Sequence, residues 1–135
     1  MRPAFILPRA AIVTGLLALG ACAAQETPPE HVFAVFYANF ATTLDAPGQA
    51  VVARAAAASN RFPNLPVTVT GYADPSDTTP AGVHQLAEAR VGAVTAMLMA
   101  DGVPASRIVR KPVGVPPNSH PGVESRRVEI DIGAP

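Results

Sequence analysis

Val67-Thr68-Val69-Thr70-Gly71-Tyr72-Ala73-Asp74 is the stretch that decides the fold. From Val67 to Thr70 apolar and polar side chains alternate, the period of a strand with one buried face, so the valines are expected in the core. A polar stretch from Asp74 to Thr79 follows. Thr79-Pro80 then supplies an N-cap with proline at the first helical position, and Asp101-Gly102 ends the pattern. Between these signals lies the longest predicted helix, with Leu86, Ala89, Ala93, Met97 and Ala100 on one stripe expected to face the core. A strand that runs through a short loop into a long amphipathic helix is the building unit of an α/β fold.

Upstream, Val32-Phe33-Ala34-Val35-Phe36-Tyr37 is apolar on both alternating faces, which predicts a strand inside a covered sheet. Asp45 is placed to cap a helix that carries Pro47 in its first turn and runs to about Ser59. Val52, Ala55, Ala56 and Ser59 form its core face, while Arg54 points outward. Phe62 to Pro66 is a turn. Downstream, Ile108-Val109 begins a third strand, Pro112 to Gly122 reads as a Pro/Gly-rich loop, and Val128 to Ile132 alternates as a terminal strand. The order strand, helix, strand, helix, strand, strand predicts an α/β two-layer sandwich, a mixed β-sheet with helices packed on it, over residues 31–135.

Composition sets limits on function. Ten basic residues balance ten acidic ones in 135, so the broad positive field used for nonspecific nucleic-acid binding is missing, and no nucleic-acid partner is expected. Hydrophobic residues make up 49% and charged ones 15%, which excludes a disordered chain. With no Trp, five Phe and two Tyr, the core must be built from Ala, Val, Leu and Ile, and fifteen Pro with ten Gly argue against a coiled coil. His31, His84 and His120 are too scattered for a zinc pair, so no metal is expected. Phosphate-binding loops, dinucleotide fingerprints and nucleophile elbows are all missing, which predicts a protein that is not an enzyme and needs no cofactor. Asp74 and Asp77 flank a proline-led turn, where aspartate commonly bonds only backbone.

The N-terminal residues have the layout of a secretory signal over residues 1–21: Arg2 and Arg9, the apolar run Ala10 to Leu19, then Gly20 and Ala21. Cys22, the single cysteine, cannot form an intrachain disulfide. Leu19-Gly20-Ala21-Cys22 resembles the lipobox of bacterial lipoproteins, which implies cleavage before Cys22 and lipidation of its thiol. The same resemblance, with Ala23 and not Asp after the cysteine, implies anchoring in the outer membrane with the domain facing the periplasm. Residues 22–30 are expected to be the lipidated cysteine and a tether, in which Ala23 to Glu30, with Pro28-Pro29, extend at most roughly 25–30 Å at about 3.3–3.6 Å per residue. Without residues 1–21, eight basic and ten acidic residues remain, a net charge of −2.

From Phe33 onward the chain resembles the OmpA-like domain, the periplasmic peptidoglycan-binding module of outer-membrane proteins and peptidoglycan-associated lipoproteins. Four markers carry the resemblance: Val67 to Asp74; Leu86-Ala87-Glu88-Ala89-Arg90; Asp101-Gly102-Val103 with Ser106-Arg107-Ile108; and Ser125-Arg126-Arg127-Val128-Glu129-Ile130. The resemblance implies noncovalent binding of the diaminopimelate end of a peptidoglycan stem, a zwitterion that needs one anionic and one cationic partner. Asp74 then accepts from the ammonium and Arg90 forks onto the carboxylate, with Arg126 a further candidate and Arg127 structural. Asn39, Phe40 and Thr42 are expected to form the facing wall. The chain departs from the family pattern at Val83, Ala87 and Ala73, where polar residues are usual, and Ser76-Asp77 lies in a loop one residue longer. His84 is the nearest substitute donor. Two functions follow. The first is a lipoprotein tying the outer membrane to peptidoglycan; the alternative is an envelope lipoprotein with a degenerate pocket that is structural or binds other envelope proteins.

Overall fold

A computed structural model describes residues 31–117 and 121–133. The expected signal, Cys22 and tether lie outside the described residues. Four strands, β1 (Val32–Phe36), β2 (Val67–Tyr72), β3 (Ile108–Gly114) and β4 (Arg127–Ile132), form one sheet in the order β1-β4-β2-β3. β4 is antiparallel to both β1 and β2, and β2 is parallel to β3. Two helices, α1 (Ala46–Asn60) and α2 (Val83–Ala100), pack on one face, giving the mixed-sheet α/β sandwich that the element order predicts.

The core fills the space between the helices and the sheet with Phe33, Val35, Val52, Ala55, Ala56, Val67, Val69, Val91, Val94, Leu98, Val128 and Ile130. α1 forms as its sequence predicts: the Asp45 side chain accepts from the Gly48 N–H at 2.8 Å, Pro47 lies in the first turn, and Val52, Ala55, Ala56 and Ser59 are buried. At its far end, Arg107 donates to the Ser59, Phe62 and Leu65 carbonyls at 2.9, 2.9 and 3.0 Å, a second bond for the Ser59 and Phe62 oxygens, which already accept from the Phe62 and Leu65 N–H groups.

Four details differ from the sequence-based expectations. β1 is not covered on both faces: it is an edge strand, and Phe36 on the helix-free face is 49% exposed. Its continuous apolar run reflects two different surroundings, a packed face with Phe33 and Val35 and a solvent face with Val32 and Phe36. Strand β3 continues through Pro112 to Gly114, which is tolerated because an edge strand need not donate every N–H. Pro80 opens a short 3₁₀ turn (Pro80–Gly82), and α2 begins only at Val83.

The buried stripe of α2 is Val83, Ala87, Arg90, Val91, Val94 and Leu98, one position on from the expected one; Ala89 and Ala100 are exposed and Leu86, Ala93 and Met97 only partly buried. This helix is apolar nearly all round, so periodicity alone does not select its docking face. Gly71 does. A Cβ at Gly71 would stand 2.4 Å from the Val91 Cγ2 and 2.8 Å from the Ala87 carbonyl oxygen, so the missing side chain is what lets α2 settle onto β2. That close approach carries Arg90 to the end of the sheet where β1 and β2 finish and β4 begins.

Candidate functional site

Because β1 and β2 both run antiparallel to β4, Phe36 lies opposite Arg127 and Gly71 opposite Val128. The loops after β1 and β2 and the segment entering β4 therefore meet at one end of the sheet. Asn39, Asp74 and Arg126 come from these three segments, and Arg90 reaches them from α2.

Asp74 is 1% exposed. One carboxylate oxygen, Oδ1, accepts from the Ser76 N–H and the Ser76 hydroxyl, both at 2.8 Å, the turn chemistry read from the proline-led sequence. The other, Oδ2, accepts from the Gly122 N–H at 2.5 Å and has the Arg126 Nη1 at 3.7 Å. The Ser76 N–H and hydroxyl hold the carboxyl below its ordinary pKa; burial opposes them, and the Gly122 N–H and the Arg126 charge add to the lowering. Asp74 is thus an anion at neutral pH.

Arg126, whose side chain is 16% exposed, is tied into the same end: its Nε donates to the Tyr37 carbonyl at 3.3 Å, and its carbonyl accepts from the Tyr37 N–H at 2.8 Å. Arg127, one residue on, turns to the helix-free face, pairing with Glu129 at 2.7 Å and lying over the Tyr72 ring at 4.6 Å. Both contacts tie it to the face opposite the helices.

Arg90 is 0% exposed, not a solvent-facing helix residue. Its Nε donates to the Ala41 carbonyl at 2.9 Å, Nη1 to the Tyr72 carbonyl at 3.2 Å and Nη2 to the Ala38 carbonyl at 3.4 Å. The guanidinium also lies 4.8 Å from the centre of the Tyr37 ring, and the Tyr37 hydroxyl donates to the backbone carbonyl of Arg90 at 3.4 Å. Burial pushes the Tyr37 phenol up to about 12, with the Arg90 charge acting the other way. Arg90 therefore clamps the loop after β1 to the end of β2, two residues before Asp74. Asn39 sits exposed in the turn that this clamp holds.

Tyr37 and the Gly122 amide are the parts that sequence reasoning missed. Tyr37 closes an apolar run and gives no sign of stacking on an arginine. Gly122 comes from a loop distant in sequence, and no pattern reports a backbone N–H. Ala73, Val83 and Ala87 form a small buried apolar cluster, so the positions where polar residues are usual are closed by carbon against carbon. His84 is exposed and does not join this cluster.

A family model described as the OmpA family matches residues 36–118, more than half of the chain. The chain belongs to the OmpA family. Solved structures agree with that fold. The OmpA-like domain of FopA1 from Francisella tularensis superposes with a TM-score of 0.64 at 22% identity, over 75% of this chain and 73% of that one. The peptidoglycan-associated lipoprotein of Burkholderia pseudomallei gives 0.59 at 20% identity, over 74% and 89%. The C-terminal domain of Helicobacter pylori MotB gives 0.64 at 20% identity, over 75% and 84%. No curated protein matches the sequence significantly. No helix among the described residues is long and apolar enough to cross a membrane.

Proposed function

We propose that this OmpA-family domain binds peptidoglycan noncovalently, through the zwitterionic end of the diaminopimelate in its stem peptide, and does so without turnover. The observation that carries the reading is Asp74, a buried anion with the Arg126 guanidinium 3.7 Å away, at the sheet end braced by the fully buried Arg90. Opposite charges fixed in a low-dielectric setting attract the two ends of a zwitterion more strongly than they would in water. The likeness to a peptidoglycan-associated lipoprotein supports the same ligand class, and it favours an envelope location.

The ligand cannot simply add to the arrangement present. Both Asp74 oxygens already accept bonds, so an incoming ammonium has to take the place of the Gly122 N–H or share Oδ2 with Arg126. Arg126 is the cation a carboxylate meets first. Arg90 reaches that carboxylate only by trading away the Ala38 or Ala41 carbonyl. Asn39 supplies the facing wall. In the full reading Cys22 is lipidated and holds the domain on the periplasmic side of the outer membrane, so radiolabelled palmitate should enter the protein and be lost in Cys22→Ala.

A second reading keeps the fold and the anchor but assigns the domain to an envelope protein partner. The sealed Asp74 carboxylate and the apolar Ala73-Val83-Ala87 cluster favour it. Calorimetric titration with meso-diaminopimelate, followed by sedimentation with whole peptidoglycan sacculi, separates the two. Saturable binding lost in Asp74→Asn and weakened in Arg126→Gln is expected. A folded protein that binds neither ligand overturns the first reading in favour of the second.

A further inference from the structure

We propose that Phe40 is a stacking platform for a sugar ring of the glycan strand, a subsite beside the charged pair. This inference rests on the peptidoglycan reading and adds a second part of the same polymer to it.

Among the described residues Phe40 is the only non-glycine residue with a left-handed backbone, at φ 59°. A bulky residue there is a true outlier, because its Cβ crowds the following carbonyl. Asn, which takes this conformation readily, stands one position earlier at Asn39, yet the turn gives the strained place to the aromatic. The ring gains nothing from the core in return, being 66% exposed. Two unfavourable features thus coincide on one residue at the rim of the candidate site, the circumstance in which stored strain points to ligand contact.

The turn is held in this state from below. Arg90 bonds the Ala38 and Ala41 carbonyls that flank Asn39 and Phe40, and the Ala41 N–H donates to the Ala38 carbonyl at 3.1 Å. A charged group that serves the site therefore also holds the backbone from which the ring projects.

The chemistry of the ring selects the ligand. It has a flat π face, negative at its centre, and no hydrogen-bonding atom. The axial C–H face of a pyranose meets such a surface favourably, its hydroxyls staying in water at the rim. In peptidoglycan a short peptide links the charged amino-acid end to the sugar backbone, so one molecule can engage both subsites.

The test compares two probes, meso-diaminopimelate alone and a disaccharide-peptide fragment that carries it, on the wild type, Phe40→Gly and Phe40→Tyr. Phe40→Gly removes the ring and the backbone strain together, so its melting temperature should rise and folding is not at risk. The wild type should bind the fragment more tightly than the free amino acid. Phe40→Gly should lose roughly three- to tenfold more on the fragment than on the amino acid, and Phe40→Tyr should keep the wild-type values. Unchanged fragment affinity in Phe40→Gly overturns the sugar platform while leaving the peptidoglycan reading in place. Equal losses on both probes move the ring to the amino-acid end and overturn the sugar assignment. Wild-type protein that binds neither probe removes the parent reading and this inference with it.

Discussion

Replacing Gly71 with alanine tests how the helix that carries Arg90 is seated. The added Cβ would lie 2.4 Å from the Val91 Cγ2 and 2.8 Å from the Ala87 carbonyl oxygen. Ordinary contact begins near 3.4 Å. Val91 can in part turn its methyl aside, but the carbonyl belongs to the backbone of α2 and can only move with the helix. Relief thus requires a displacement of about 0.6 Å or more within a close-packed interior, and overpacking of this kind costs about 1–3 kcal/mol. Alanine also lowers the entropy of the unfolded chain, which returns about 0.4–1 kcal/mol. The expected net loss is about 1–2 kcal/mol, or about 4–16 °C in melting temperature for a domain of this size. Urea unfolding followed by circular dichroism measures it, with the slope unchanged and the midpoint lowered. Gly71→Ala combined with Val91→Ala should recover little, since the carbonyl clash persists and a buried valine is truncated. A Gly71→Ala protein as stable as the wild type would refute the argument that this glycine sets the approach of α2. The same shift lengthens the bonds from Arg90 to Ala41 and Tyr72, so ligand affinity should fall with stability.

Arg107→Ala removes the bonds that tie three carbonyls at the end of α1 and in the following turn together and should cost about 1–2 kcal/mol in urea unfolding, the partial exposure of the site and the backbone partners kept by Ser59 and Phe62 holding the loss moderate. Asp74 gives an acid limb to the stability curve. Its native pKa lies below the ordinary value near about 3.9, so its contribution is complete above about pH 4 and disappears as pH falls through the native value. Asp74→Asn should flatten that limb in melting experiments between neutral and strongly acid pH. Tyr37 gives an alkaline limb of the opposite sense: with its phenol at about 12 in the folded protein and about 10 in the unfolded chain, stability holds below about pH 10 and is lost as pH rises toward the native value. Tyr37→Phe should remove this loss, and unchanged alkaline unfolding would show that the phenol is not buried as described.

The strands and helices that place the site are legible in the sequence where local chemistry and burial agree. Val67 and Val69 point inward as their alternation predicts, and α1 follows its Asp45 cap and its stripe of small residues. Legibility ends where the decision is tertiary. The run from Val32 to Tyr37 cannot reveal that β1 is an edge strand, since that depends on β4 inserting between β1 and β2. Nor can the nearly uniform apolar surface of α2 reveal its docking face, which Gly71 selects from the neighbouring strand. The site shows the same division. Asp74, Arg90 and Arg126 are nominated by motif, but the burial of Arg90 and the bonding of Asp74 to the Gly122 amide follow from long-range packing that no local pattern encodes.

The sheet order has a consequence for the life history of the chain. β4, the last strand in the sequence, occupies a central position, and β1 and β2 are joined only through it. A chain delivered from its N-terminal end holds β1 without any strand partner until residues 127–132 arrive. The intermediate thus exposes an uncharged, unpaired edge, and closure depends on contacts far apart in sequence, which slows folding and invites association while it waits. Truncation within β4 accordingly divides the sheet instead of trimming it: β2 and β3 keep their parallel pairing, β1 is stranded with α1, and the three segments that build the charged site no longer share a frame.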